Sequence, residues 1–102
     1  MRRLAILAAL LPFAALAHGD AAWISSEPRY VDRNKIHCCG VADCRKVERS
    51  AVTRILEGWR LVDTGRVFRD GDPDLYDSID DDIWLCRREG TDRCLFVPAL
   101  GV

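Results

Sequence analysis

The sequence is poor in the parts from which most enzyme sites are built. It holds two histidines, His18 and His37, and no serine–histidine–acid set, so hydrolytic chemistry has little to work with. No glycine-rich phosphate loop is present, which removes the usual nucleotide cradle. No C-x-x-C pair is present either, the spacing that thiol oxidoreductases and common zinc sites use. A length of 102 residues excludes a Rossmann domain or a TIM barrel. There are no internal repeats and no low-complexity tract. After residue 16 no apolar run approaches the roughly 20 residues needed to cross a bilayer.

What is present begins with a leader. Arg2-Arg3 precede thirteen residues, 4–16, that are apolar with one proline among them, and Ala15-Leu16-Ala17 follows the small-residue cleavage pattern. A basic start, a short apolar stretch and an A-x-A site are the parts of a secretory signal peptide. The expectation is a signal peptide over residues 1–17, cleaved after Ala17. Residues 18–102 would remain, 102 − 17 = 85 of them, as a single small cysteine-stapled domain, periplasmic or secreted and without a membrane span. A chain that short buries only about 60–65% of its unfolded surface, so its apolar core alone is marginal.

The formal net charge of −1 becomes −3 without Arg2 and Arg3, and it hides an asymmetry. Residues 29–69 carry ten Arg or Lys against five Asp or Glu, while residues 70–82 carry seven Asp and no base. The expected arrangement is a solvated acidic loop lying near basic strands. No nucleic-acid-binding motif accompanies the basic stretch, so nucleic acid is not an expected partner.

All five cysteines, Cys38, Cys39, Cys44, Cys86 and Cys94, follow the leader. In an oxidising compartment disulfides are the default, and a small core needs them. Five is odd, so one thiol is left over, for a metal or for a disulfide-linked dimer among other fates. Five choices of the odd cysteine and three pairings of the rest give 15 two-bridge connectivities, among which sequence does not choose.

Residues 18–28 read as an irregular N-terminal arm, with Trp23 and Ile24 tucked against the core. Ser25 or Ser26 is placed to cap a helical turn that enters Pro28 and runs through Arg29-Tyr30-Val31. Residues 37–44 form a tight loop. Residues 47–56, 59–62 and 66–68 read as a three-stranded antiparallel meander with turns at Glu57-Gly58 and Thr64-Gly65. Residues 70–82 read as loop. Ile83-Trp84-Leu85-Cys86-Arg87 and Arg93-Cys94-Leu95-Phe96-Val97 read as a closing hairpin around Glu89-Gly90, ended by Pro98. The fold class is therefore small, mainly β and disulfide-stapled, an antiparallel meander plus a C-terminal hairpin.

A hairpin loop over residues 88–92 sets Cys86 opposite Cys94, with Cβ atoms about 4.5–5.5 Å apart, close enough for a bridge after slight adjustment. The competing arrangement sends both to the Cys38/Cys39/Cys44 loop. Closing loops of roughly 50 residues that way is worth about 4 kcal/mol per bridge by loop-closure entropy. At least one such long-range bridge is favoured, because the cysteine loop has little else to hold it. Trp23, Trp59 and Trp84 are expected to pack rather than to form an exposed platform.

Three groups could carry chemistry. His37, Cys38, Cys39 and Cys44 offer soft thiolates beside an imidazole, a donor set for copper or zinc. His18 would become the N-terminal residue after cleavage, where an amine and a ring nitrogen suit copper. Asp70, Asp72, Asp74 and Asp81 overlay positions 1, 3, 5 and 12 of a calcium loop. That loop requires glycine sixth and an apolar residue eighth, where this chain has Leu75 and Asp77. In each case the plainer reading is preferred: the cysteines are disulfide partners, His18 is a solvated terminus and the aspartates are a solvated loop.

The order of these features resembles a family of small exported cysteine-containing proteins of alphaproteobacteria. The likeness rests on Cys38-Cys39-Gly40-x-x-Asp43-Cys44 and Cys94-Leu95-Phe96-Val97-Pro98, with Gly58-Trp59 and Trp84-x-Cys86 between. It implies export and cysteine stapling and transfers no catalytic residue; the acidic stretch 70–82 departs from it. The expected role is a binding or structural accessory protein of the cell envelope, not an enzyme, acting on an envelope protein or ligand with no cofactor. The alternative is a periplasmic copper- or zinc-binding protein, and the third reading is a thiol-redox protein.

Overall fold

Short runs of β-branched and aromatic residues, broken by glycine and charged turns, favour strands too brief to stand alone. The computed structural model describes residues 21–39 and 43–99. Among these residues the strands are β1 (Asp43–Val47), β2 (Val52–Ile55), β3 (Gly58–Leu61), β4 (Val67–Arg69), β5 (Leu75–Ser78), β6 (Ile83–Arg88) and β7 (Thr91–Pro98). One helical turn, α1 (Ala22–Ser25), precedes them, and a 3-10 turn over Arg49–Ala51 joins β1 to β2. The fold is mainly β, with the meander, the C-terminal hairpin and the irregular arm that the sequence suggests.

Two sheets form. One runs in the order β1-β6-β7-β5, with β5 parallel to β7 and the other pairs antiparallel. The other is the meander β2-β3-β4. At Gly58, where β3 lies against β4, an added Cβ would come 2.2 Å from the Phe68 carbonyl oxygen, so only glycine allows this pairing.

β6 and β7 are apolar on both faces because each face is covered. Trp84, Cys86, Cys94 and Phe96 turn to one side and pack with Ile24, Tyr30 and Cys38 of the arm. Ile83, Leu85, Leu95 and Val97 turn to the other and pack with Val52, Trp59, Leu61 and Phe68 of the meander. The four-stranded sheet is thus a middle layer between the arm and the three-stranded sheet. All three tryptophans pack: Trp59 and Trp84 are buried, and Trp23 sits edge-on to Tyr30, Trp84 and Phe96.

Four local expectations are corrected. The helical turn lies at Ala22–Ser25, upstream of Pro28, with no side-chain cap at its start. Residues 28–29 form a turn instead, followed by the Tyr30 N–H on the Glu27 carbonyl at 3.3 Å, and Val31 then bridges His37 while the Tyr76 hydroxyl accepts its N–H at 3.0 Å and lies 2.7 Å from its carbonyl. Residues 47–56 are not one strand. Val47 ends β1 and Val52 begins β2 in the other sheet, and the polar stretch between them folds into a turn closed by Ala51 N–H to the Glu48 carbonyl at 2.9 Å.

The acidic stretch is not wholly loop either. Leu75–Ser78 pairs with β7, and Tyr76 stacks on Phe96 with ring centroids 5.3 Å apart. Finally, the hairpin turn is two residues long, Glu89 and Gly90, both with positive φ (51° and 77°) as a type I′ turn requires. A bulge absorbs Arg93, so Cys86 still faces Cys94.

Candidate functional site: the cysteine cluster

Strand register assembles the cysteines. Cys44 of β1 lies opposite Cys86 of β6, and Cys86 lies opposite Cys94 of β7, so three adjacent strands carry a row of cysteines on one face. Cys38 arrives from the arm above that row. The bridges are Cys38–Cys94 and Cys44–Cys86, with Cα atoms 5.8 and 3.9 Å apart. Both span long stretches of chain, 56 and 42 residues, and the direct Cys86–Cys94 bridge is not made. Cys38, Cys86 and Cys94 have 0% exposure, whereas Cys39 and Cys44 are half-buried.

Cys39 is the cysteine outside both bridges. Its backbone follows Cys38, but its side chain goes elsewhere, and the Cys39, Cys44 and Cys86 sulfurs lie within 4.8 Å of one another. This is the one group of metal-ligand residue types gathered at such range among the described residues. While the Cys44–Cys86 bond is intact it supplies a single thiol.

His37 does not join the sulfurs. Its Nδ1 accepts the Cys39 N–H at 3.1 Å and its Nε2 meets the Glu27 carbonyl at 2.8 Å, so both ring nitrogens are engaged by backbone. The ring anchors the approach to the cysteine loop. His18 lies outside the described residues, as do residues 1–17, over which a signal peptide is expected, and so do Gly40, Val41 and Ala42 of the loop itself.

The acidic stretch meets the basic one. Asp70 receives both arms of the Arg54 guanidinium at 2.8 Å, and that hydrogen bond holds the Asp70 carboxyl below the usual carboxylate range. Asp72 accepts the Arg69 N–H at 2.8 Å. Asp74, only 1% exposed, accepts from Arg33 Nε at 2.8 Å and Arg66 Nη2 at 3.3 Å. The Asp81 carbonyl accepts from Arg49 at 2.7 Å. Asp72 and Asp74 share Arg33, whereas Asp70 and Asp81 meet other arginines, and among the described residues the four are not gathered into one group of potential ligands.

Two residues that the sequence reading does not single out organise the surroundings. Asp80 accepts from the Ser78 hydroxyl at 2.7 Å, the Asp82 N–H at 3.1 Å and the Trp84 indole at 3.1 Å. Partial burial pushes its carboxyl up, but those hydrogen bonds outweigh it and hold the carboxyl below its ordinary range. Tyr76 ties β5 to the arm, as described. Asx-type sequence (Ser-x-Asp ahead of a tryptophan) could have hinted at the first; the second depends on strand pairing.

No protein-family model, no curated protein and no solved structure matches this chain.

Proposed function

We propose that the chain is an exported accessory protein of the cell envelope, with a binding or structural role rather than an enzymatic one. The observation that carries this reading is the pair of bridges joining the N-terminal segment to the C-terminal hairpin, with both sulfurs of Cys38–Cys94 fully buried. Such bonds form and persist in oxidising compartments and are rare where thiols are kept reduced. The leader pattern and the likeness to small exported alphaproteobacterial proteins support it too. Its partner would be another envelope protein or a ligand.

Intact mass of the protein from the exported fraction, before and after alkylation in denaturant, tests the reading. The expected species begins at His18 and carries two bridges and one alkylatable thiol. A chain still holding its first residues in the cytosol, with five alkylatable thiols, would overturn it.

One observation favours a second reading, a periplasmic copper or zinc protein: the convergence of the Cys39, Cys44 and Cys86 sulfurs. Three thiolates would suit Cu(I), and they exist together only when the Cys44–Cys86 bond is reduced. Native mass spectrometry of reduced protein with one equivalent of Cu(I) or Zn(II) decides it. Retention of one ion, lost in Cys39→Ser, supports this reading; no retention removes it.

A further inference from the structure

The Cys39 thiol sits beside a ready-made disulfide, its sulfur within 4.8 Å of both Cys44 and Cys86. We propose that these three residues form a thiol–disulfide exchange site, in which the Cys39 thiolate attacks the Cys86 sulfur, forms a Cys39–Cys86 bridge and expels Cys44. The new S–S bond forms as the Cys44–Cys86 bond breaks. Its electron pair goes to the Cys44 sulfur, which takes up the proton that Cys39 gave up. One disulfide and one thiol exist before and after, so no outside oxidant or reductant is consumed.

Burial sets the direction. Cys86 is fully buried in a central strand, where a departing thiolate would be stripped of water and would leave poorly. Cys44 is half-buried on β1, the sheet's edge strand, and is the better leaving group. Cys38–Cys94 stays out of the exchange. Both its sulfurs are fully buried, and neither belongs to the three-sulfur group. Adjacent residues thus have separate tasks: Cys38 is a fixed staple and Cys39 a mobile one.

Exchange moves covalent support from one element to another. With Cys44–Cys86 intact, β1 is bonded to β6 as well as hydrogen-bonded to it. With Cys39–Cys86, the arm gains a second tie to the hairpin, and β1 is held by its ladder alone. The thiol then sits on an edge strand, where outside thiols and disulfides have better access.

Two measurements test this on purified, non-reduced protein. In the first, N-ethylmaleimide is added to the native wild type over a time course, exchange is stopped in mildly acidic denaturant, and the labelled sulfur is located by fragmentation. Two singly labelled species, one capped at Cys39 and one at Cys44, are expected, the Cys44 share rising as the reagent is diluted so that exchange outpaces capping, and Cys39→Ser should take up no label. Label found on Cys39 alone at every reagent concentration and pH, or on Cys86, overturns the proposal. In the second, Cys44→Ser is exposed to a mild oxidant such as oxidised glutathione. Closure of a Cys39–Cys86 bridge, with loss of both alkylatable thiols, is expected; two thiols that stay alkylatable, or that carry only glutathione, overturn it.

Discussion

The two faces of the four-stranded sheet are covered in different ways. On one face lies a second sheet, whose Val52, Trp59, Leu61 and Phe68 meet Ile83, Leu85, Leu95 and Val97. It has its own backbone ladder, so apolar burial suffices to hold it. On the other face lies the arm, with one helical turn and little ladder of its own. There the chain adds the Cys38–Cys94 disulfide, an aromatic cluster around Phe96 and the Tyr76 hydroxyl on the arm backbone, while Cys44–Cys86 on the same face bonds β1 to β6. Irregular chain loses as much conformational entropy on ordering as a strand but forms fewer internal bonds. Covalent closure makes up the difference.

The bridges are nested, which sets what each contributes. Cys44–Cys86 closes 42 residues and is worth about 4 kcal/mol by loop-closure entropy. Once it is closed, Cys38–Cys94 adds only the ring of six positions from Cys38 to Cys44 and eight from Cys86 to Cys94, fourteen in all. A ring of that size corresponds to about 3 kcal/mol.

The largest effect should come from the face without disulfides. Phe68→Ala, at a fully buried side chain, is expected to cost about 3–5 kcal/mol, read from the urea midpoint. A loss under about 1 kcal/mol would mean that the meander contributes little to the fold. On the other face, Cys38→Ser with Cys94→Ser should cost about 3 kcal/mol. Hydrogen exchange should then rise in the arm and stay low in β3. A uniform rise across both faces would show that the two layers are not separable.

Smaller effects sharpen the contrast. Under limiting reductant, Cys44–Cys86 should open before Cys38–Cys94, because one of its sulfurs is half-buried and the other bridge has none accessible. Mass mapping that finds the reverse order would contradict the assigned burial.

Asp80→Asn should cost about 0.5–1 kcal/mol at neutral pH, the worth of its hydrogen bonds discounted for exposure. Because the folded carboxyl titrates below its unfolded value, that stability is fully present above the ordinary aspartate range near pH 3.9. It is lost as pH falls through the lower folded value, so the gap between wild type and Asp80→Asn should close in acid. A gap that holds constant down to strong acid would contradict the role. Leu56→Ser, at a side chain 96% exposed on the β2–β3 turn, should shift stability by less than about 0.5 kcal/mol.

The hairpin was legible because Ile83-Trp84-Leu85-Cys86 and Cys94-Leu95-Phe96-Val97 are unbroken apolar runs around a Glu-Gly turn. The meander was legible from its glycines, although Gly58 opens β3 and the turn before it falls on Leu56 and Glu57. Less could be read where neighbours in sequence part company. Val47 and Val52 look like one strand, since each favours β, and only the sheet each joins separates them. Leu75-Tyr76 is surrounded by aspartates, and nothing local announces a parallel partner on β7. Of the candidate site, the five cysteines were legible but their partners were not. His37 looked like a ligand beside cysteines until its two nitrogens were found on backbone groups.

Composition and local period alone thus determined a small β domain with too little core for its length, an odd number of cysteines and two blocks of opposite charge. Tertiary structure decided which sulfurs meet, which aspartate each arginine holds, and that Cys39 lies against the Cys44–Cys86 bond. The physical reason is reach. Period and turn chemistry act over a few residues, enough to set Cys86 opposite Cys94 across a hairpin, whereas the register that sets Cys44 opposite Cys86 joins residues 42 apart in the chain.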